Sequence, residues 1–325
     1  MSGTIKLPEI TSILTSSSNM LDFLGGISSS LLGTIFGNLP FMILAFYGIY
    51  YSVSRLKLNN KQLVLVLFLL SFPSFGVWSS IAGKEAMSVF FMGIILGYII
   101  DLINKDRYKL KMIELFAIYL MFIFKPQYSL AIFSIIIYVV TSNKLNLKSF
   151  GKSILLSIHI TLGLVGFWIF KDVINELSFM LPKHFSLDAG STRDNTIWIE
   201  NYDIFFNAHY GMFIGFFGPT YDEVLSKPIQ GIFFIESLVI ISLFVYVLSR
   251  GVIYATKTNK INIYIIALIF MSVFWLLFVH YPFGALNPGS AIRYRENFYG
   301  FLVVFIFFMY LKVNAESIIR KGAKY

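Results

Sequence analysis

The sequence contains no cysteine and has few charged residues for its length. Without cysteine, neither a disulfide nor a thiolate metal site can form. The four histidines include no pair spaced three or four residues apart, which argues against a histidine metal site. Charged residues make up only 13% of the 325 residues, whereas an average soluble domain has about 25%. These shortages exclude an ordinary cytosolic enzyme, a disordered chain and a fibrous one.

Apolar residues are what the chain has in excess. Hydrophobic types account for 57% of the sequence, 35 residues are phenylalanine, and the mean hydropathy is +0.75. They form long blocks of the kind that spanning helices need, whereas a transmembrane β-barrel has short alternating segments. We therefore expect an all-α fold, a polytopic transmembrane helix bundle of about nine spans. The predicted spans are 31–54, 62–79, 86–103, 111–125, 126–141, 150–170, 229–249, 261–280 and 297–313.

Lys and Arg outnumber Asp and Glu by 26 to 17, which gives a formal net charge of +9. The positions of these basic residues indicate how the chain is oriented. Every second connection between the predicted spans contains at least three Lys or Arg, and such connections lie on the cytoplasmic side. This pattern explains the charge without a nucleic-acid partner. It predicts a polar N-terminal segment, 1–30, at the outer face, a transmembrane bundle, 31–313, and a cytoplasmic tail, 314–325. The odd number of spans reflects either a missed span within 9–30 or a start that lacks an upstream span.

The longest connection between predicted spans, 171–228, lies at the outer face. It contains Arg193, Trp198, His209 and Tyr210, together with an apolar run, 211–218, that is too short to span. We expect this run to form an interfacial or re-entrant helix packed on the bundle. A connection of this length is usually functional, and a purely structural cap is the alternative.

Lys84 and Glu85 open the third predicted span at its outer end. A carboxylate at a helix N-terminus is favourable by about 0.3–1 kcal/mol, so capping is a sufficient explanation for Glu85. Capping does not explain Lys84, because a cation opposes the helix dipole at that position.

Three further cations lie where the charge rule disfavours them. Lys125 separates the fourth and fifth predicted spans, which are short and which we expect to form a tight helical hairpin. Arg293 and Arg295 precede the last span and suit bidentate binding of phosphate oxygens. The ordinary alternatives are a snorkelling anchor for Lys125, and salt bridges to Glu296 or to loop acids for the two arginines.

Two ionisable residues, His159 and Glu236, lie inside predicted spans. An ionisable group in a span indicates a functional site by default. For His159 a helix–helix hydrogen bond is at least as good an explanation, because hydroxyl residues make its helix polar. Neither residue is included in the expected site.

The cations of the outer face come from separate connections, yet they share one side of the membrane in the predicted topology. Such a cluster could neutralise a diphosphate at the level of the lipid headgroups. Transfer from a lipid diphosphate needs cations on the departing group, a carboxylate or histidine to take a proton from the attacking hydroxyl, and positioning. This chemistry requires no metal and no cofactor. The cations are Lys84, Lys125, Arg193, Arg293 and Arg295.

Four segments within residues 65–310 carry a shared pattern. They are Trp78-Ser-Ser leading to Lys84-Glu85, Lys125-Pro126-Gln127, the turn Phe217-Gly218-Pro219, and the stretch from Asn287 through Arg293-Tyr-Arg295. Together they resemble the bacterial polysaccharide repeat-unit polymerases of the Wzy type, which are integral membrane glycosyltransferases of O-antigen and capsule assembly. The second segment departs from the family, because lysine and glutamine stand where we expect arginine and histidine.

The resemblance implies a reaction on lipid-linked sugars in the bacterial inner membrane. A growing glycan on undecaprenyl diphosphate would be moved onto the non-reducing end of an incoming lipid-linked repeat unit, at the periplasmic face. No nucleotide sugar, metal or cofactor would take part. The implied partners are the undecaprenyl-diphosphate-linked oligosaccharide, membrane lipid, and a chain-length regulator and a flippase of the same pathway.

For this reaction the expected site combines candidate bases, aromatic rings and cations. Glu85 and His209 are the candidate bases, and Glu85 has the alternative role of orienting Lys84. Trp198 and Tyr210 would stack on sugar faces. The cations that bind substrate would be Lys84, Lys125, Arg193, Arg293 and Arg295.

Two other functions stay open. Another membrane glycosyltransferase or an O-antigen ligase would have similar spans, but its loss would leave long polymer on the carrier lipid, not a single unit. A polysaccharide or lipid transporter would have internal repeats and charges at mid-membrane, and the sequence has no clear repeat.

Overall fold

The structure is a computed structural model that describes residues 10–184, 192–258, 267–268 and 270–322. Every regular element within these ranges is a helix. Parts of four predicted regions lie outside the described residues. These parts are 1–9 of the N-terminal segment, 185–191 of the long connection, 261–266 and 269 of the eighth span, and 323–325 of the tail.

The first half of the chain is a series of helices joined by short turns. They are α1 (Ile10–Thr15), α2 (Ser17–Phe36), α3 (Leu39–Val53), α4 (Asn60–Leu70), α5 (Pro73–Ser80), α6 (Lys84–Asn104), α7 (Met112–Phe124) and α8 (Ser129–Lys144).

The second half alternates long helices with short ones. They are α9 (Ser149–Met180), α10 (Asp203–Phe206), α11 (Ala208–Phe217), α12 (Tyr221–Ser226), α13 (Gly231–Thr258), α14 (Trp275–Gly284) and α15 (Pro288–Gly322), and a π-helical turn, Phe270–Phe274, precedes α14.

Among the described residues, four helical stretches are long and apolar enough to cross a membrane. Two bent pairs raise this number to six if each pair counts as one span: α4 and α5 meet at 72°, and α7 and α8 at 118°. The prediction of an all-α fold is therefore confirmed for the described residues, which contain four to six candidate spans, while the count of nine spans stays a prediction. The four stretches are Leu39–Leu56, Lys84–Asn104, Ser149–Met180 and Pro228–Arg250.

Proline explains both bends. Pro73 is the first residue of α5, and Pro126 opens a short 3₁₀ turn before α8. Proline has no backbone N–H and disfavours helical backbone in the residue before it, so one helix ends there and a new one starts. The break expected around Lys125 is thus present, between helices of 13 and 16 residues.

The structure corrects more than one predicted boundary. The first predicted span, 31–54, begins inside α2 and crosses the break between α2 and α3. The long connection was expected to begin at residue 171, but α9 continues to Met180. Residues 171–180 are more polar than the preceding run, yet most of them are compatible with a helix. The apolar run ends at about residue 170, whereas the helix continues for ten more residues. The end of an apolar run is therefore a poor guide to the end of a helix.

The chain divides into two compact units. Unit 1 comprises Met1–Tyr98, Lys109–Ser129 and Glu296–Phe301, and unit 2 comprises Ile99–Tyr108, Leu130–Arg295 and Leu302–Tyr325.

In unit 1 the buried residues Glu296–Phe301 of α15 form part of the core. Tyr299 Oη donates a hydrogen bond to the Leu69 carbonyl at 2.9 Å, and its ring centroid lies 5.2 Å from that of Phe75. Phe298 packs edge-on against Tyr128, with ring centroids 5.9 Å apart. This segment therefore joins α4, α5 and the turn before α8.

Glycines set the crossing of α3 and α6 in unit 1. A Cβ atom added to Gly93 would lie 2.3 Å from the Gly48 carbonyl oxygen, and one added to Gly97 would lie 2.5 Å from the Tyr51 ring. Small residues four apart let two helix backbones approach closely, a common device in membrane proteins. No larger residue fits at Gly93 unless the two helices move apart.

Gly93→Ala is expected to destabilise the protein by roughly 1–3 kcal/mol, because the added methyl group overpacks the α3–α6 crossing. The measurement is the midpoint of thermal unfolding in detergent. Gly163→Ala is the matched control, because a Cβ atom at Gly163 on α9 would meet nothing within 4 Å. Equal midpoints for the two variants would contradict this role of Gly93.

Candidate functional site

Lys84 and Glu85 occupy the first turn of α6, in unit 1. Lys84 Nζ donates a hydrogen bond to Ser18 Oγ on α2 at 3.0 Å. Glu85 is only 1% exposed, and a Cβ atom on Gly83 would lie 2.9 Å from its Oε2 atom. The carboxylate therefore folds back over Gly83 at the positive end of the helix, where a negative charge is favourable.

Lys125 lies at the bend between α7 and α8, also in unit 1. Its side chain is 7% exposed, and its backbone N–H donates to the Met121 carbonyl at 2.8 Å. The packing of Tyr128 against Phe298 places this turn beside the buried part of α15. A largely buried ammonium group beside membrane-spanning helices is costly and marks a candidate functional residue.

In unit 2 the long connection is built around α11, which contains most of the apolar run that we expected to be helical. Its packing on α14 requires glycines. A Cβ atom on Gly211 would lie 2.5 Å from the Tyr281 ring, and one on Gly215 would lie 2.9 Å from Tyr281 Cα. A Cβ atom on Gly284 would lie 2.6 Å from the Gly215 carbonyl oxygen. The two helix backbones are therefore in near contact.

The C-terminal end of α11 is held by side chains from four parts of unit 2. The Gly218 N–H donates to the Ile214 carbonyl at 3.1 Å, so the carbonyls of residues 215–218 need partners outside the helix. Each of them accepts a hydrogen bond from one side chain. The donors are His280 Nε2 to Gly215 at 2.9 Å, Arg295 Nη1 to Phe216 at 3.2 Å, Ser237 Oγ to Phe217, and Arg193 Nη2 to Gly218.

Arg295 is fully buried within this arrangement, at 0% exposure. Its Nη1 atom also donates to Ser237 Oγ at 2.6 Å, and its Nη2 atom lies 3.6 Å from Glu236 Oε2. Glu236, itself 3% exposed, supplies the opposite charge that a buried guanidinium requires. A positive charge also suits the negative end of α11. Arg295 thus binds groups of the protein itself.

Arg193 binds the same helix end from the segment before α10. Its Nε and Nη2 atoms form a bidentate pair with the Glu223 carboxylate, both at 2.7 Å. Its Nη1 atom donates to the Ala285 carbonyl at 2.9 Å, and its backbone N–H donates to the Leu286 carbonyl at 2.7 Å. Arg193 therefore joins this segment to Gly218, to α12 and to the two residues that follow α14.

Glu223 belongs to a capping box at the start of α12. Its Oε2 atom accepts from the Thr220 N–H at 2.7 Å, and its own N–H donates to Thr220 Oγ1 at 3.4 Å. Burial acts to raise the pKa of Glu223, but hydrogen bonds and charge from Arg193, together with the Thr220 hydrogen bonds, lower it below its ordinary value. The Glu223 carboxylate is therefore stabilised in its charged form.

The two expected sugar-stacking rings differ in accessibility. Trp198 is 2% exposed and belongs to the core of unit 2, where its ring centroid lies 6.0 Å from that of Tyr281. Tyr210 is 49% exposed on α11, next to the exposed His209. Of the two rings, only Tyr210 presents a surface to its surroundings.

Arg293 and Arg295 do not share a face of α15. Two residues apart on a helix means a rotation of about 200°. Arg293 is exposed, with its guanidinium 5.7 Å from the Tyr294 ring centroid, whereas Arg295 is buried. Joint binding of one diphosphate, which was expected of the two arginines, would require both guanidinium groups on one face of α15, and they lie on different faces.

Sequence reasoning missed Ser237, His280 and Glu223 as partners of the expected site residues. Glu236 was noticed as an ionisable residue in a predicted span, but it was not connected with Arg295. The need of such a residue for a counter-charge is the signal that could have led to that pair. His159 Nδ1 lies 2.8 Å from the Leu155 carbonyl oxygen, so this hydrogen bond lies within one helix and does not join two helices.

The remaining expected residues offer groups suited to phosphate and proton chemistry. Lys84, Glu85 and Lys125 belong to unit 1, and His209 and Arg293 are exposed residues of unit 2. Ammonium and guanidinium groups bind phosphate oxygens, and a carboxylate or imidazole accepts a proton from a hydroxyl. Within the described ranges, no three His, Asp or Glu are grouped so as to hold a metal ion.

Arg295→Met is expected to destabilise the protein by about 3 kcal/mol, because it leaves the Glu236 charge and the Phe216 carbonyl buried without this donor. The double variant Arg295→Met/Glu236→Met should recover part of the loss, since both charges are removed together. Thermal unfolding in detergent measures both effects. Arg293→Met, the exposed neighbour, is the control and should change stability by less than about 0.5 kcal/mol. No recovery in the double variant would argue against the pair.

The Arg193–Glu223 contact should make stability depend on pH in the acidic range. A lowered pKa in the folded state means that the stabilisation is complete above the ordinary glutamate value and is lost as the pH falls through the lowered value. The difference in unfolding midpoint between the native chain and Glu223→Gln should be constant near neutral pH and shrink below about pH 4.5. Asp222→Asn, an exposed neighbour, is the control. A difference that does not change with acidification would refute the contact's role.

No family model, no curated protein and no solved structure matches this chain.

Proposed function

We propose that the chain is an integral membrane glycosyltransferase that polymerises undecaprenyl-diphosphate-linked oligosaccharide repeat units into O-antigen or capsular polysaccharide. In this proposal nine spans cross the bacterial inner membrane, the long connection lies at the periplasmic face, and the C-terminus is cytoplasmic. Lipid-linked oligosaccharides serve as donor and acceptor, without nucleotide sugar, metal or cofactor.

The observation that carries the proposal is the position of Lys125. It lies, 7% exposed, at a 118° bend between two helices that are each too short to span a membrane. A broken helix pair of this kind places a cation beside backbone that is not helical, an arrangement by which membrane proteins bind ions and charged substrates. A diphosphate on a lipid carrier is a substrate of matching charge.

In the proposed reaction the bond between the growing glycan and its diphosphate breaks, and a bond to a hydroxyl of the incoming repeat unit forms. The hydroxyl proton passes to Glu85, and undecaprenyl diphosphate leaves with the electron pair of the broken bond. Lys125 and Lys84, both in unit 1, neutralise the departing diphosphate.

The contacts of Arg193, Arg295 and Trp198 lead us to assign them other roles than those expected from the sequence. The two arginines hold the C-terminal end of α11, and Trp198 packs in the core of unit 2. The proposed substrate-binding set is correspondingly smaller.

A transporter of lipid-linked sugars is the second candidate, and one observation favours it. Arg295 and Glu236 form a buried charged pair that includes a residue of the candidate span Pro228–Arg250, and two helix pairs are broken. Buried charges and discontinuous helices are typical of transporter substrate sites. A ligase or another membrane glycosyltransferase remains a further alternative within the enzyme class.

Lys125→Ala is expected to reduce polymer formation about a hundredfold, because one cation on the developing diphosphate charge is lost. The measurement is the profile of carrier-lipid glycans in the native host, with the amount of protein in the membrane fraction determined in parallel. The variant should accumulate single repeat units on the carrier lipid, and Lys125→Arg should retain most of the activity. Lys144→Ala, an exposed lysine at the end of α8, is the matched control.

Other outcomes would assign the chain differently. Full-length polymer in Lys125→Ala would remove Lys125 from the site. In a strain that lacks the chain, long polymer left on the carrier lipid would indicate a ligase. Repeat units trapped at the cytoplasmic face would indicate a transporter.

A further inference from the structure

One surface of the long connection combines apolar character with exposure. Phe206, at the end of α10, is 73% exposed, and Tyr210 and Phe213 on α11 are 49% and 56% exposed. Tyr210 and Phe213 are three residues apart on α11, so they lie on the same face. Phe206 is the last residue of α10 and is separated from α11 by Asn207. These three rings are called the aromatic face below. Large apolar rings exposed together on one short segment indicate a contact with a membrane or another molecule.

The direction of the aromatic face is fixed by the rest of the helix. Gly211 and Gly215 lie on the opposite side of α11, where they pack tightly against Tyr281 of α14. The carbonyls at the end of α11 are bound by four side chains of unit 2. The helix therefore cannot rotate to bury its aromatic face without breaking these contacts.

Ring contacts relate the aromatic face to the start of a candidate span. The Phe213 and Phe217 ring centroids are stacked 5.4 Å apart, and Phe217 contacts Phe234 edge-on at 5.0 Å. Phe234 lies in the first turn of α13, near the beginning of the candidate span Pro228–Arg250. Two ring contacts therefore connect Phe213 to the beginning of a candidate span. The beginning of a span lies at the boundary between headgroups and hydrocarbon when the helix crosses a bilayer.

We infer that the aromatic face inserts into the headgroup region of the lipid bilayer and anchors the long connection to the membrane surface. Phenylalanine with tyrosine is the composition found where a helix lies in the interface, since the rings are apolar and the tyrosine hydroxyl reaches water. Tyr210 then contacts lipid and does not stack on a sugar. The inference does not depend on the enzymatic proposal, because an interfacial helix is compatible with a transporter as well.

The absence of cysteine makes a direct test straightforward. Single cysteines are introduced as Phe206→Cys, Tyr210→Cys, Phe213→Cys and, as a matched control, Asp222→Cys, an exposed position on α12 of the same connection. Each is labelled with a nitroxide in the full chain, reconstituted into vesicles of phosphatidylethanolamine and phosphatidylglycerol. Collision rates of the label with oxygen, which concentrates in the bilayer, and with a water-soluble nickel chelate are then measured by electron paramagnetic resonance.

The ratio of oxygen to nickel collisions should be several-fold higher at positions 206, 210 and 213 than at position 222. Ratios equal to that of position 222 would overturn the inference, because the face would then be in water. Low collision rates with both reagents would also overturn it, because the face would be covered by protein, either another part of the chain or a second copy. Elution of all four labelled proteins at one position in size-exclusion chromatography verifies that the fold is retained.

Discussion

Four backbone carbonyls at the end of α11 each accept a hydrogen bond from a side chain elsewhere in unit 2. A buried carbonyl without a partner costs about 1–3 kcal/mol, and four in a row would cost a large part of the stability of an average domain. His280, Arg295, Ser237 and Arg193 bind one carbonyl each. Because these donors come from separate parts of the chain, the end of one short helix fixes the positions of α13, α14, the start of α15 and the segment before α10.

This constraint changes how the cations of the chain are interpreted. From the sequence, an arginine on the face where cations are disfavoured indicates a phosphate ligand, since a charge there needs a reason. Arg295 and Arg193 have such a reason in the carbonyls they bind and in the carboxylates of Glu236 and Glu223. A helix C-terminus and a phosphate present the same chemistry to a guanidinium, namely negatively polarised oxygens, so residue type alone cannot separate the two roles.

Features that depend on local sequence were predictable, and those that depend on tertiary contact were not. Long apolar runs predicted helices, and proline predicted the break at Lys125, because both effects act over a few residues. The start of the long connection was placed ten residues too early, because the apolar run ends before α9 does. The burial of Trp198 follows from which elements pack together, and the pairing of Glu236 with Arg295 joins residues 59 positions apart in the chain. The different faces of Arg293 and Arg295 follow from helix geometry, but the predicted span began at residue 297 and the helix begins at Pro288.

The same constraint bears on the choice between an enzyme and a transporter. If α11 were a gate, its movement would break four hydrogen bonds, two of them from guanidinium groups, at a cost of several kcal/mol. The tight glycine packing between α11 and α14 opposes sliding as well. Unit 2 therefore offers a fixed platform on which exposed residues such as His209 keep their positions. A fixed platform is of direct use to a reaction that must align two lipid-linked sugars, whereas alternating access requires that some element of the site moves. If unit 2 belongs to a transporter, the moving element has to be something other than α11.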